Sequence, residues 1–147
     1  MNKTLPITLL IMCLQSMTVL AGGTPQAISL SADQLSGGIL DGEPVTEFFG
    51  NDTQFVNVYA SEDKKFSFGV FGMVVEEEAN GKTRYENFPK YEFMYFLQGS
   101  MKLIDDNGVV TEAGPGEVLF IPKGWTGTRI TDDIRKISVV YDENPKP

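Results

Sequence analysis

Apolar and polar positions alternate most regularly over residues 91–124, and that stretch predicts three short strands separated by turns. Residues 91–97 are aromatic-rich, with an acid, Glu92, near the start and a break at Gln98-Gly99. Residues 101–104 form a second strand, and Asp106-Asn107-Gly108 predicts a tight two-residue hairpin turn, since Asn-Gly tolerates positive φ. Residues 109–111 lead back, Gly114-Pro115-Gly116 breaks the chain, 118–121 form an apolar strand and Pro122-Lys123-Gly124 turns out of it. Upstream, 54–60 and 65–76 read as longer strands. In the second, Phe66, Phe68, Val70 and Val74 face one side and Phe71, Met73 and Val75 the other, so it is expected between two layers. Glu76-Glu77-Glu78 with Asn80-Gly81 reads as a solvated hairpin tip, 83–88 as a returning strand and 135–141 as the last strand. Strands this short and this regularly punctuated predict an all-β sandwich or barrel.

The rest of the chain is organised around that domain. Residues 1–21 carry one charge, Lys3, then an apolar run ending in Val19-Leu20-Ala21 before Gly22, the anatomy of a signal peptide cleaved after Ala21. The apolar run is interrupted by Gln15-Ser16 and is too short to span a membrane. Residues 22–53 are turn-rich and read as an N-terminal arm: a short strand at 27–30, a helical turn from Ser31 capped by Ser31 or Asp33, and a loop at Asn51-Asp52-Thr53. The β domain then occupies 54–141, and 142–147 is a flexible tail. Cys13 is the only cysteine, so loss of the leader leaves no thiol for catalysis, metal binding or a disulfide. The formal charge is −8, more negative by one without Lys3, and no basic patch stands out. Nucleic acid is therefore not an expected partner, nor is a membrane once the leader is gone, and the expected location is periplasmic or secreted.

Two spacings carry a family resemblance. Glu92, six residues, Gly99 matches the end of the first cupin motif, G(X)5HXH(X)3–4E(X)6G; Gly116, five residues, Pro122, one residue, Gly124 matches the second, G(X)5PXG(X)2H(X)3N. The chain resembles the small single-domain cupins of the (S)-ureidoglycine aminohydrolase and ethanolamine-utilisation type from about Phe66 to Tyr141. The resemblance implies a single jelly-roll β-barrel (RmlC-like) and a homodimer. In metal-binding cupins histidines and a glutamate converge on one ion, but this chain has no histidine. Carried over position by position, the motif histidines fall on Glu86, Phe88 and Gly127, the asparagine on Thr131, and the glutamate on Glu92. The expected metal set is therefore none, and no cofactor is expected; Glu86 and Glu92 alone would hold only a weak, oxygen-liganded cation.

Side-chain alternation sketches an interior. If Glu92 points inward so do Met94 and Phe96; if Glu86 does, so does Phe88; and Trp125, Gly127 and Arg129 share a face. The candidate ligand-binding set is Glu86, Phe88, Glu92, Met94, Trp125 and Arg129, with Arg129 as the partner of Glu92. Three functions stay open. One is an exported cupin binding a small polar molecule without a histidine-ligated metal. Another is a hydrolase, lyase or isomerase using Glu92 or Glu86 as general acid/base, with Tyr85 or Tyr95 assisting; such a carboxylate needs a raised pKa. The third is a structural dimerising module.

Overall fold

The computed structural model describes residues 26–77 and 81–145. The expected leader at 1–21, the first residues of the arm, Glu78 and Asn80 of the acidic tip and the end of the tail lie outside the described residues. A five-residue helix, α1 (Ala32–Ser36), opens the described chain. Ser31 caps it: its Oγ accepts from the Gln34 amide at 3.2 Å while the Gln34 side chain accepts from the Ser31 amide at 2.8 Å. That reciprocal pair satisfies two amides that a helix start otherwise leaves open. The strand expected at 27–30 does not form.

Ten strands follow: β1 (Thr46–Phe48), β2 (Asn51–Ala60), β3 (Phe66–Val74), β4 (Lys82–Tyr85), β5 (Tyr91–Gln98), β6 (Met101–Asp105), β7 (Val110–Ala113), β8 (Val118–Ile121), β9 (Gly127–Thr131) and β10 (Ile134–Tyr141). They make two antiparallel sheets, a six-stranded one in the order β1-β2-β3-β10-β5-β8 and a four-stranded one in the order β4-β9-β6-β7. The described residues are all-β apart from the short arm, as the alternation predicts. The core is built where the inner faces meet. Met73, Met94, Phe96, Leu119, Ile121 and Ile134 come from the large sheet, and Met101, Leu103 and Ala113 from the small one. Met94 and Phe96 have no exposed surface, and a fully buried side chain of that size contributes roughly 1.5–3 kcal/mol.

Several expected boundaries move. The sheet starts earlier than residue 54: Asn51-Asp52-Thr53 is not a loop but the start of β2, with Asn51 fully buried and its amide donating to the Phe49 carbonyl at 3.0 Å. The hairpin at 106–108 is not a two-residue turn. Gly108 is left-handed (φ 80°) and Asn107 is not. Asp105 instead accepts from the amides of Asn107 and Val109 at 2.9 and 2.8 Å, and its own amide donates to the Val109 carbonyl at 3.1 Å, so the loop 106–108 is longer by one residue. One two-residue hairpin turn is hidden in the sequence. Phe49-Gly50 joins β1 to β2 with φ of 52° and 76°, the two-positive-φ geometry usually filled by Asn-Gly. A phenylalanine held there is strained, because its Cβ crowds the backbone.

Candidate functional site

Alternation along β5 turns Glu92 inward with Met94 and Phe96. Its partner is not Arg129 but Lys136 of β10, whose Nζ lies 2.8 Å from Glu92 Oε1; Ser138 donates its hydroxyl to the same oxygen. β10 and β5 are neighbours, and Lys136 and Ser138 sit two residues apart on the inward face, so both reach the carboxylate. Lys136 is only 5 % exposed, its Nζ is 2.9 Å from the Met94 sulfur, and it lies 5.2 Å from the Phe71 ring centroid. Burial pushes the Glu92 carboxyl up, but the Lys136 charge and the hydrogen bonds from Lys136 and Ser138 outweigh it and hold its pKa at about 2. Burial lowers the pKa of Lys136, an effect the Glu92 charge only partly offsets. Glu92 is thus a fixed anion consumed by its own partners, the opposite of the raised carboxyl a general base requires.

Glu86 is not inside. β4 ends at Tyr85, and Asn87 has a left-handed φ of 53°, so the alternation expected through 83–88 breaks there. Phe88 is buried in the core while Glu86 is exposed. Of the two tyrosines proposed to assist, Tyr85 faces inward and Tyr95 faces out, opposite Ile137 and Val118. Burial raises the Tyr85 pKa; the Arg129 guanidinium opposes the rise and Glu92 adds to it, so the phenol stays protonated.

Trp125, Gly127 and Arg129 do come together. The Trp125 indole lies directly on Gly127, where a Cβ would stand 2.4 Å from the ring. Arg129 is 5 % exposed and lies near the rings of Tyr85 and Phe48, 5.6 and 5.9 Å from their centroids. Its Nη2 donates to Thr83 Oγ1 at 3.1 Å. Its Nε has no hydrogen-bond partner among the described residues, and no carboxylate there pairs with it. Phe49 packs edge-on to both Phe48 and Tyr85, with Phe88 and Trp125 also against Tyr85. The strained Phe49-Gly50 turn therefore places an aromatic cover beside a buried cation. Two surface clefts, about 210 Å³ beside Leu40 and Arg135 and about 520 Å³ beside Lys90 and Lys123, lie elsewhere.

The metal implied by the resemblance does not fit these residues. Phe88 offers no donor, Glu86 faces away, Gly127 is covered by the indole and Glu92 already has an ammonium as its counter-charge. Among the described residues no three acidic side chains gather. Sequence reasoning missed Lys136, Ser138, Thr83, Phe48 and Phe49. A signal existed for two of them: in Ile134-Arg135-Lys136-Ile137-Ser138 the lysine and serine share the inward period of Ile134.

The family model for the EutQ-like cupin domain matches residues 61–137. None of the curated proteins matches the sequence. Among solved structures, EutQ of Clostridium difficile is 23 % identical with a TM-score of 0.51, over 65 % of this chain and 71 % of its own. The Cnp3 cupin domain of Schizosaccharomyces pombe is 14 % identical at 0.52, over 71 % and 72 %. A Rhizobium leguminosarum protein of unknown function is 17 % identical at 0.53, over 81 % and 100 %. At these identities the likeness is one of fold.

Proposed function

The chain belongs to the EutQ-like cupin family, and on that footing we propose that it binds a small polar molecule at the Arg129 end of its barrel without using a histidine-ligated metal. The observation that carries this reading is the buried guanidinium of Arg129, set beside two aromatic rings with an Nε–H that finds no partner among the described residues. A buried polar group without a partner costs free energy, and a ligand that fills it recovers that cost. General acid/base catalysis finds little support. Glu92 is held ionised by Lys136, and Glu86 faces solvent. The test is thermal melting against a library of small polar metabolites. A ligand at a hundred times its Kd should add about 2.7 kcal/mol, a rise of several degrees in Tm for a domain of this size. Failure of every compound at millimolar concentration would sink the reading.

A second reading, association with another copy of the chain, has its own support. The outer face of the six-stranded sheet is apolar across three neighbouring strands, β10, β5 and β8. Phe93 and Tyr95 of β5 lie opposite Phe120 and Val118 of β8 and opposite Val139 and Ile137 of β10. Phe93 is 41 % and Phe120 55 % exposed, and a contiguous patch of this kind on a monomer marks an interaction site. Light scattering should give about twice the chain mass, and Phe93→Glu together with Phe120→Glu should halve it. A monomeric wild-type chain at micromolar concentration would end this proposal.

A further inference from the structure

We propose that the ligand of the Arg129 site is a small oxyanion-bearing molecule, an aromatic carboxylate by preference, gripped by the Arg129 guanidinium against Tyr85 and Phe48. The inference rests on the small-molecule reading above and adds the charge and shape of the ligand. Three observations carry it.

The first is the local charge balance. Two cations, Lys136 and Arg129, are each 5 % exposed on the inner face. The one acid turned toward them, Glu92, is spent on Lys136. The groups facing Arg129 from the packed elements are Thr83 and Tyr85 of β4 and Phe48 of β1, a hydroxyl, a protonated phenol and a phenyl ring. None brings a negative charge, so the interior retains one uncompensated positive charge within a strongly acidic chain. A buried charge without a counter-ion is expensive, and arginine does not escape by losing its proton.

The second is geometric. Thr83 takes one hydrogen bond from Nη2, and Nε takes no partner among the described residues. The guanidinium edge presents parallel N–H groups that match the two oxygens of a carboxylate. The Tyr85 and Phe48 ring centroids lie 5.6 and 5.9 Å from its central carbon, and the edge that carries the unpartnered Nε–H is the recognition surface.

The third is the cover. Phe48 belongs to β1, a three-residue strand at the end of the sheet that pairs, among the described residues, with β2 alone. Phe49, next to it, is held at a φ of 52° with its ring exposed and edge-on to Tyr85. A short edge strand with few ladder bonds opens more readily than the core. Phe48 and Phe49 are the wall that can yield to admit a ligand, and their rings would pack on its apolar body. That selects an aromatic or otherwise flat anion over a bare inorganic ion.

The test measures binding of benzoate and of its neutral isostere benzamide to the wild-type chain and to Arg129→Gln, by calorimetry and melting at matched ionic strength. Benzoate should bind and benzamide should bind at least tenfold more weakly. Arg129→Gln should lose at least tenfold in benzoate affinity while leaving that for benzamide unchanged. The Arg Nε–H resonances of 15N-labelled wild-type protein provide a second readout that does not depend on the folding of Arg129→Gln. One of them should shift on benzoate addition and stay in place on benzamide addition. Equal binding of benzoate and benzamide, unaffected by the substitution, would overturn the anion inference and leave the small-molecule reading standing. Absence of binding by benzoate, acetate, succinate and phosphate alike, where a neutral metabolite does raise Tm, would overturn it as well. If nothing binds at all, both readings fall together.

Discussion

Glu92→Leu is expected to destabilise the protein by about 3–5 kcal/mol, the usual cost of leaving one member of a buried ion pair without its partner. Lys136→Met should cost a similar amount, for it strands a carboxylate whose side chain is 14 % exposed. The double variant should recover most of the loss, because two apolar side chains of similar volume remove both desolvation penalties at once. The pair also makes a pH prediction whose sign follows from the direction of the shift. The folded pKa of Glu92 is about 2 against an ordinary 4.5. A depressed acid contributes its full stability above the unfolded pKa and loses it as pH falls through the folded one. Wild type should therefore lose about 3 kcal/mol between roughly pH 4.5 and pH 2 from this group. The double variant should lack that component. In Glu92→Leu the remaining Lys136 has its pKa lowered by burial, so its penalty is present at neutral pH and relieved as pH rises. Denaturant unfolding across pH reads all of this. Single variants that cost under ~1 kcal/mol, or a double variant as costly as the sum of the singles, would show that the pair is not the buried couple described.

What the sequence made legible follows from how local each signal is. The period-2 alternation in residues 91–97 placed Met94, Phe96 and Glu92 on the inner face because side-chain direction in a strand depends only on parity. The Ser31 cap was legible because both of its hydrogen bonds close within four residues. Parity failed for Glu86 because one left-handed residue, Asn87, resets the phase, and nothing in the flanking residues announces it. The partner of Glu92 was misassigned for a different reason. The choice between Arg129 and Lys136 is a question of sheet order. Pairing of β5 with β10 rather than with β9 is long-range information that alternation does not contain. Phe48 and Phe49 were hidden by a turn whose first residue is a phenylalanine where turn chemistry favours asparagine. In each miss the competing principle is tertiary: a register, a sheet neighbour or a strained φ outweighed the local pattern.

Gly127→Ala is expected to destabilise the protein by about 3 kcal/mol, a large effect for one methyl group. Gly127 needs space rather than an unusual backbone angle. A Cβ there would stand 2.4 Å from the Trp125 indole and 2.5 Å from the Ile104 carbonyl oxygen of the neighbouring strand. The indole has some freedom to withdraw, whereas the carbonyl belongs to the β6–β9 ladder, in which Gly127 lies opposite Asp105, and it moves only with its strand. The two contacts separate in a double-mutant cycle with Trp125→Leu. If the indole carries the clash, the methyl group added on the Trp125→Leu background should cost less than half of what it costs in wild type. If the carbonyl carries it, the cost should be the same on both backgrounds. The first outcome fits the unequal stiffness of the two neighbours only if the β6–β9 ladder can give by several tenths of an ångström. The expected result is intermediate: partial rescue, with the remainder set by Ile104. An alanine tolerated with no loss of Tm would mean that the indole does not rest on Gly127. That result would also open, at the position where the family motif places a histidine, the space that the ring now fills.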